Sequence, residues 1–303
     1  MSLTPVSPPP VPPNSCNSYA MFCWESQLDF LSTTSAQQNL INFCGNNGIN
    51  TLFLDFYSYL GGANWTTAHV ASFQTLLNCA HESGIRCYAL VGDPSYPTNQ
   101  QWFQANIVRP ICSFNELGRS SGTSGKQGAY FDGWMFDIEY WTLPSYNAAN
   151  EVPPLMDLFR NVKAWSNMTV GAFTTQWLAS TTTGAQSVTY NGVTQAEGLF
   201  FVDYTDFIAV ACYSNASATQ ITMMQPWFNY SNQAGKNMGM FCTSWTDSGA
   251  PSGESYWTGS SGAKATMNTA NTAIASNFIV ANSTNSVFLG QAIDDYGSYS
   301  QMT

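Results

Sequence analysis

Eight short apolar runs alternate with longer stretches of helical pattern, and this alternation constrains the fold more than any other feature of the chain. The runs cover residues 18–24, 49–58, 85–92, 133–140, 168–177, 206–214, 237–245 and 287–294. They are nearly continuous in hydrophobicity, as is typical of parallel strands buried on both faces. Helical patterns lie between them at 35–46, 66–83, 98–117, 150–165, 217–234 and 261–278. The order predicts an α/β fold, a (β/α)8 TIM barrel that spans residues 16–303 as one domain.

The connection between the fifth and sixth runs, at about 178–205, departs from this pattern. It contains "SVTYNGVTQ", an Asn-Gly pair between alternating residues, which predicts an inserted β-hairpin. A doubly wound open sheet is the alternative architecture. No Gly-x-Gly-x-x-Gly follows the first run, so a dinucleotide site has no support in the sequence.

The charge balance narrows the class of partner. Charged residues make up only 9% of the chain, and eight Lys and Arg against eighteen Asp and Glu give a net charge of −10. This sign argues against nucleic acid and anionic membrane surfaces as partners. No apolar run approaches the ~18–20 residues that a membrane span requires. Aromatic residues reach 15%, with ten Trp, which suits the flat apolar faces of sugar rings, although core packing accounts for most of them.

Cysteines and glycosylation sequons predict the compartment. The chain has eight cysteines and no C-x-x-C pair, so a zinc site of that type is not indicated. We expect a secreted glycoprotein with disulfide bonds. Five Asn-x-Ser/Thr sequons occur, at Asn64, Asn167, Asn215, Asn229 and Asn282.

The first fifteen residues read as a segment separate from the barrel. Residues 1–3 are interpreted as a cloning remnant in place of a removed leader, because no apolar signal region follows them. Residues 4–15 are rich in proline and predict an extended tether.

Polar residues at the ends of the runs are the candidates for a site, since the active site of a TIM barrel forms at the carboxyl ends of its strands. The fourth run carries the densest set. Because Asp137 and Glu139 lie two residues apart, strand alternation predicts that both face the lumen. The whole set is Glu25, Asp55, Asp93, Asp137, Glu139, Gln176, Tyr213, Trp245, Asp247, Asp294 and Asp295.

Ionisation of two neighbouring carboxyl groups is unfavourable because the two negative charges repel each other. One of the two groups is therefore expected to keep a proton near neutral pH. We interpret Glu139 as a general acid and the deeper Asp137 as its electrostatic regulator. The alternative is that one of the two is solvated or paired with an Arg. Asp132 has a structural interpretation as well, because "FDG" suits a turn whose side chain caps backbone amides.

The seventh run lacks the carboxylate that a conventional retaining glycosidase uses as its nucleophile, at about 5 Å from the acid. It ends "MFCTSWTDSG", with no Glu before Glu254. This absence suggests that the substrate supplies its own nucleophile, the carbonyl oxygen of a 2-acetamido group.

The segment "DGWMFDIE", residues 132–139, resembles the Asp-Gly-x-Asp-x-Asp-x-Glu signature of family 18 glycoside hydrolases, the chitinases and endo-β-N-acetylglucosaminidases. It is similar also to the fourth-strand segment of family 85 endo-β-N-acetylglucosaminidases. The resemblance implies that Glu139 is the acid/base and that Asp137 orients the acetamido group. It also implies that Tyr213, in "ACYSN", donates a hydrogen bond to the acetamido carbonyl. Asp132 matches the outermost acid of the signature.

The chain departs from this family pattern at several places. Met135 replaces the middle Asp of the signature, and Ala211 and Ser214 replace the Met and Asp that flank the family Tyr on the sixth strand. The Ser-x-Gly-Gly motif of the third strand is absent. The Trp of the eighth strand has no match, and Trp177 or Trp245 is its expected substitute.

Other chemistries have less support. His69 and His81 fall on the second predicted helix, away from the barrel mouth, which disfavours histidine-based and zinc hydrolysis. A magnesium or calcium site of Asp93, Asp137, Asp294 and Asp295 is an alternative to hydrogen bonding of sugar hydroxyls by these side chains. No Gly-x-Ser-x-Gly elbow occurs.

We therefore predict a secreted, monomeric glycoside hydrolase that needs no cofactor and binds a carbohydrate with β-linked N-acetylglucosamine. Its catalytic residues would be Glu139, Asp137 and Tyr213. One rival is a chitinase-like lectin that binds glycans without cutting them. A second is a two-carboxylate glycosidase with Asp247, Asp294 or Glu25 as partner of Glu139. The predicted substrate-binding residues are Asp132, Trp24, Trp141, Trp177, Trp245, Gln176, Asp93 and Asp294.

Overall fold

Eight parallel strands close into a barrel in the computed structural model, which describes residues 19–24, 33–57, 65–121, 128–236, 238–257, 263–281 and 287–302. The strands follow one another in chain order around the wall, and the last pairs with the first. The predicted (β/α)8 barrel is confirmed. The predicted tether at 4–15 lies outside the described residues.

The barrel strands are β1 (Tyr19–Cys23), β2 (Ile49–Asp55), β3 (Arg86–Val91), β4 (Gly133–Phe136), β5 (Thr169–Thr175), β8 (Phe207–Ala211), β9 (Gly239–Trp245) and β10 (Val287–Asp294). A separate hairpin pairs β6 (Ser187–Tyr190) with β7 (Val193–Ala196). The helices are α1 (Thr34–Asn47), α2 (Thr67–Glu82), α3 (Gln100–Phe103), α4 (Arg109–Ser121), α5 (Ala148–Ser166), α6 (Leu199–Tyr204), α7 (Ser217–Gln233), α8 (Ala263–Ala281) and α9 (Tyr296–Tyr299). A π-helical turn, Gln104–Val108, joins α3 to α4.

Several helices begin and end on local sequence signals. The hydroxyl of Thr33 accepts a hydrogen bond from the amide of Ala36, and Thr66 and Asn147 cap α2 and α5 in the same way. Helix α1 ends at Gly48, whose φ of 70° suits a residue without a side chain. These caps fix where each helix returns the chain to the next strand.

The lower part of the lumen is filled by aromatic rings. The ring centroid of Phe207 lies 5.0 Å from that of Tyr88 and 6.1 Å from those of Phe53 and Phe241. Room for this ring comes from Gly171, where an added Cβ would lie 2.0 Å from Phe207 Cζ. The lumen is therefore a packed core, and space for a ligand exists only toward the carboxyl ends of the strands.

The predicted insertion is confirmed as the β6–β7 hairpin. Its two-residue turn uses Asn191 at φ 49° and Gly192 at φ 80°, the positive values that a type I′ turn needs. Outside the turn, the hairpin packs beside α5, which follows the fourth strand. The insertion thus lies against the part of the barrel that carries the candidate acids.

Glu197, at the end of the hairpin, ties the insertion to the loop after β4. The residue is fully buried. Its carboxyl group accepts hydrogen bonds from the hydroxyl of Tyr140 at 2.9 Å, from the hydroxyl of Tyr146, and from the amide of Gln186 at 2.7 Å. Three donors satisfy a group that would be costly to bury alone. Because Tyr140 directly follows Glu139, this contact holds the loop that carries the predicted acid.

The expectations about the compartment have mixed outcomes. All seven cysteines among the described residues are free thiols, so the predicted disulfides are not present among them. Secretion and glycosylation stay predictions. Asn167, Asn215 and Asn229 are exposed, whereas Asn64 and Asn282 lie outside the described residues. In the part of the chain that the structure describes, no helix combines the length and apolarity needed to cross a bilayer.

We expect Glu197→Gln to lower the free energy of unfolding by about 2 kcal/mol, because the new amide nitrogen cannot accept one of the three hydrogen bonds and leaves a buried donor unpaired. Urea denaturation followed by tryptophan fluorescence measures the change. Tyr140→Phe should cost less, since it removes a donor and leaves the other two in place.

Glu116→Gln, on the exposed face of α4, is the matched control and should change stability by less than about 0.5 kcal/mol. If Glu197→Gln unfolds at the same urea concentration as this control, the three hydrogen bonds do not stabilise the loop.

Candidate active site

The barrel mouth is lined by inward-facing side chains from the carboxyl ends of at least five strands. Trp24, Trp141 and Tyr213 pack against the lumen cluster that contains Phe22, Met135 and Phe173. The side chains of Asp137, Glu139 and Asp294 come together above this cluster, close enough for their charges to interact. The structure therefore brings together the predicted catalytic residues Asp137, Glu139 and Tyr213. The predicted binding residues Trp24, Trp141 and Asp294 lie at the same mouth.

Asp137 and Glu139 lie just beyond the end of β4, which is shorter than predicted. The amide of Asp137 still donates to the carbonyl of Val91 at 2.8 Å, so it extends the ladder by one bond. Ile138, between the two acids, is buried in the core between the barrel and the helices. Both acids consequently face the mouth, as strand alternation predicted.

The surroundings of Asp137 inside the barrel are apolar or tightly packed. Met135, fully buried, lies below it in the lumen where the family signature has an acid. The backbone of Gly92, the residue after β3, lies close to the backbone of Asp137. A Cβ atom added at Gly92 would be 2.8 Å from the Asp137 carbonyl oxygen. The Oδ1 atom of Asp137 is buried, and none of the residues that the structure describes gives it a hydrogen bond. An unpaired buried oxygen of this kind costs about 1–3 kcal/mol.

The three carboxyl groups share an environment that favours their neutral forms. Burial, followed by the charges of Glu139 and Asp294, raises the pKa of Asp137 well above its ordinary value. Burial and the charge of Asp294 raise the pKa of Glu139. Burial also raises the pKa of Asp294, although hydrogen bonds from Trp24 and Tyr213 oppose this. Protons are therefore retained in the cluster toward neutral pH.

No cation among the described residues neutralises the cluster. The ion pairs of this part of the chain involve His81, Arg160, Lys163 and Lys236, none of them with Asp137, Glu139 or Asp294. The alternative that one of the pair is salt-bridged to an Arg is thus not seen among these residues. A carboxyl group with a raised pKa at the mouth is suited to donate a proton.

Asp294 organises the opposite side of the mouth from β4. The hydroxyl of Tyr213 donates to Asp294 Oδ2 at 2.9 Å, and the indole nitrogen of Trp24 donates to Oδ1 at 3.3 Å. The Tyr213 ring stacks on Trp245, with centroids 4.9 Å apart and planes at 30°. Burial and the nearby carboxylates raise the pKa of Tyr213, so this hydroxyl stays a donor.

The predicted sugar-stacking residues divide into two groups. Trp24, Trp141 and Trp245 are half-buried at the mouth. Trp177 instead packs against the outer core, with its ring 6.5 Å from that of Tyr146. Trp177 was chosen because it ends the fifth apolar run, but β5 ends at Thr175 and Trp177 lies in the 3-10 turn that follows. Gln176, the first residue of that turn, is half-buried at the carboxyl end of β5.

The prediction that Asp132 binds substrate is wrong. Asp132 precedes the first residue of β4, so it lies at the amino end of the strand, opposite the mouth. Its Oδ2 accepts from the amide of Cys87 at 2.7 Å and contacts His81 Nε2 at 2.9 Å. Burial lowers the pKa of His81, but the hydrogen bond and charge of Asp132 outweigh it, and the net pKa is raised. Asp132 therefore caps a backbone amide, as the structural interpretation of "FDG" proposed.

Asp93 lies beside the acid cluster, in the wall of a cavity of about 410 Å³. One of its oxygens accepts a hydrogen bond from the amide of Ser95 at 2.7 Å. The cavity lies above the carboxyl ends of the first three strands. Its lining residues are Trp24, Asp55, Tyr57, Leu90, Val91, Gly92, Asp93, Pro94 and Tyr96.

The remaining candidates play smaller parts. Asp247 binds its own loop, since its Oδ1 accepts from the amide of Gly249 at 2.7 Å, and its charge acts on Asp294. Glu25 lies outside the described residues. Within the described ranges, no group of three or more His, Cys, Asp or Glu side chains is arranged to hold a metal ion.

The sequence did not single out Glu197, Tyr57 or Tyr96. Glu197 stands alone between Ala and Gly, with no periodic or motif signal, and its partners come from a loop some fifty residues earlier. Tyr57 had a usable signal, because it follows Asp55 at two residues' distance at the end of a strand.

Comparison with known proteins supports the fold. No protein-family model matches the sequence, and no curated protein does. Among solved structures, a GH18 chitinase from Pseudoalteromonas aurantia aligns over 91% of this chain and 93% of its own, with a TM-score of 0.53 at 9% identity.

Two further structures align more weakly. An endo-β-N-acetylglucosaminidase from Cordyceps militaris covers 77% of this chain and 68% of its own, with a TM-score of 0.37 at 12% identity. A chitinase from Chromobacterium violaceum covers 76% and 68%, with a TM-score of 0.41 at 13% identity. The chain is thus similar in fold, a (β/α)8 barrel, to the Pseudoalteromonas chitinase.

Proposed function

We propose that the protein is a glycoside hydrolase that cleaves β-linked N-acetylglucosamine glycans with retention of configuration, by a substrate-assisted mechanism. One observation carries the proposal: Glu139, with a raised pKa, lies at the barrel mouth beside Asp137 and Asp294, and no described cation pairs with any of the three. The fold shared with a GH18 chitinase and the likeness of residues 132–139 to that family's signature support the same assignment.

In the proposed reaction, protonated Glu139 donates its proton to the glycosidic oxygen as the bond to the anomeric carbon breaks. The carbonyl oxygen of the substrate's 2-acetamido group attacks that carbon and forms a cyclic oxazolinium ion. Glu139, now a carboxylate, then takes a proton from water, whose oxygen opens the ring at the anomeric carbon. Two inversions give net retention, and the same residue serves as acid and base.

Asp137 is suited to hold the acetamido nitrogen. Its buried Oδ1 has no hydrogen-bond partner among the described residues, and the nearby lumen cluster that contains Met135 is apolar. Rotation of the side chain toward the mouth would exchange this unsatisfied position for a hydrogen bond from the substrate N–H. The new hydrogen bond stabilises the bound state, because it removes the free-energy penalty of the unpaired Asp137 oxygen in the free protein.

Tyr213 is suited to polarise the acetamido carbonyl once Asp294 is protonated. In the free protein the Tyr213 hydroxyl donates to Asp294. Because burial raises the pKa of Asp294, its protonated form is accessible and can itself donate to the Tyr213 oxygen. The phenol proton then turns to the substrate carbonyl. Trp24 and Trp245 would flank the sugar bound there.

A second candidate mechanism draws on the nearness of Asp294 to Glu139. The charge of Asp294 raises the pKa of Glu139, so the two carboxyl groups interact electrostatically across the mouth. In that mechanism Asp294 attacks the anomeric carbon and the substrate needs no acetamido group. A glycan-binding protein without activity is the third candidate, favoured by Met135 in the position of a signature acid.

We expect Glu139→Gln to reduce kcat on chitooligosaccharides or on an N-glycopeptide by at least about 10³-fold, because glutamine cannot donate the proton. Product release measured by chromatography gives the rate, and calorimetric titration of the variant gives its affinity for the uncleaved sugars.

The wild-type result assigns the function. Cleavage of either substrate, with the loss in the variant, supports the acid/base role. Binding by both proteins with no cleavage by either would identify a lectin. Glu116→Gln, remote from the mouth, controls for the loss of one negative charge.

We expect Asp294→Asn to keep measurable activity and to move the alkaline limb of the pH–rate profile to lower pH. Glu139 must be protonated to act, so the rate falls as the pH rises through its pKa. Removal of the Asp294 charge lowers that pKa, which shifts the limb downward.

The same variant separates the two hydrolytic mechanisms. If Asp294 is the nucleophile, the variant loses activity and added azide restores turnover as a glycosyl azide. A thiazoline analogue of the oxazolinium ion should inhibit the wild type only if the acetamido group takes part.

A further inference from the structure

The cavity above β1, β2 and β3 shares walls with the candidate active site. Trp24 lines it and also donates a hydrogen bond to Asp294. Gly92 lines it and lies against the backbone of Asp137. A substrate held at the acids would therefore continue into this cavity without leaving the surface of the protein.

The lining of the cavity matches the chemistry of a sugar. Tyr57 supplies a partly exposed aromatic ring, the buried Tyr96 forms part of the wall, and Asp55 and Asp93 supply carboxylate acceptors for sugar hydroxyls. Its volume of about 410 Å³ falls in the range of roughly 300–1,000 Å³ that small-molecule sites occupy. Among the described residues, its charged lining consists of two carboxylates, Asp55 and Asp93, which favours a neutral ligand over an anionic one.

Exposed aromatic rings extend this surface outward. Among the described residues, the aromatic side chains exposed by more than a third are Tyr57, at 36%, and Trp102, at 46%. Tyr57 lines the cavity, and the Trp102 ring stacks on Tyr96, with centroids 6.2 Å apart and planes at 18°. Single exposed aromatic residues are ordinary, but here one lines the cavity and the other stacks on a residue that lines it.

We propose that this cavity and Trp102 form a binding surface for sugar units remote from the cleaved bond, so that the substrate is an extended glycan chain cut internally. This inference rests on the proposed hydrolase function for its catalytic consequence, though not for binding. In this proposal Trp102 is the outer contact, because its ring stacks on Tyr96 and its side chain is 46% exposed.

The test compares Trp102→Ala with wild type on chitooligosaccharides of two to six units. We expect kcat/KM for the hexasaccharide to fall by about tenfold, equivalent to about 1.4 kcal/mol. The loss should shrink as the oligosaccharide shortens and no longer reaches Trp102. Trp102→Phe should recover part of the loss, because it restores a flat ring. Val287→Ala, an exposed apolar side chain at the amino end of β10, is the matched control and should match the wild type at every length.

Binding separates this inference from the proposed function. The same oligosaccharides are titrated calorimetrically into Glu139→Gln with and without Trp102→Ala. If the wild type cleaves but Trp102→Ala behaves like the wild type at all lengths, the surface is wrong and the function stands. If nothing is cleaved but affinity rises with chain length and Trp102→Ala removes the gain, the surface stands and the hydrolase proposal fails. Affinity that does not depend on length, or no binding at all, overturns the surface.

Discussion

The rest of the site depends on one electrostatic constraint: three carboxyl groups meet at the barrel mouth in a chain that has few cations to neutralise them. Protons and hydrogen-bond donors must do so instead. The indole of Trp24 and the phenol of Tyr213 both donate to Asp294, and burial favours the protonated forms of Asp137 and Glu139. General acid catalysis needs a carboxyl group that stays protonated toward neutral pH. Because few cations are present to stabilise the carboxylate forms, the pKa values stay raised, and this suits the site to donate a proton.

The barrel was predictable because its strands are buried on both faces and stand out as continuous apolar runs, each of which matches an observed strand. The exact end of β4 was not. Residues 137–140 continue the apolar and aromatic pattern, yet β4 ends at Phe136, the ladder continues by one hydrogen bond from the Asp137 amide, and a 3-10 turn begins at Tyr140. The placement of Asp137 and Glu139 survived this error, since two-residue spacing kept both on the same side.

The errors at the site have particular physical causes. Asp132 matched a motif position, but register places it at the amino end of β4, where it accepts from Cys87 on the neighbouring strand. Trp177 was chosen as the last residue of an apolar run, but β5 stops two residues earlier and a 3-10 turn follows. Glu197 acts only through partners distant in sequence, and no single-sequence pattern reports such a contact. The cysteine count suggested disulfides, yet the described cysteines are free, and most are buried as small apolar side chains in the core.

The ring of Phe207, seated against Gly171, closes the lumen from below. Among the described residues, the candidate active site is therefore closed at its lower end. In the proposed hydrolysis, the leaving sugar and the attacking water would then both pass through the mouth. A sugar fragment that stays bound there would compete with water for the anomeric carbon, so the time that the fragment remains bound would influence how often its hydroxyl group, and not water, is the acceptor.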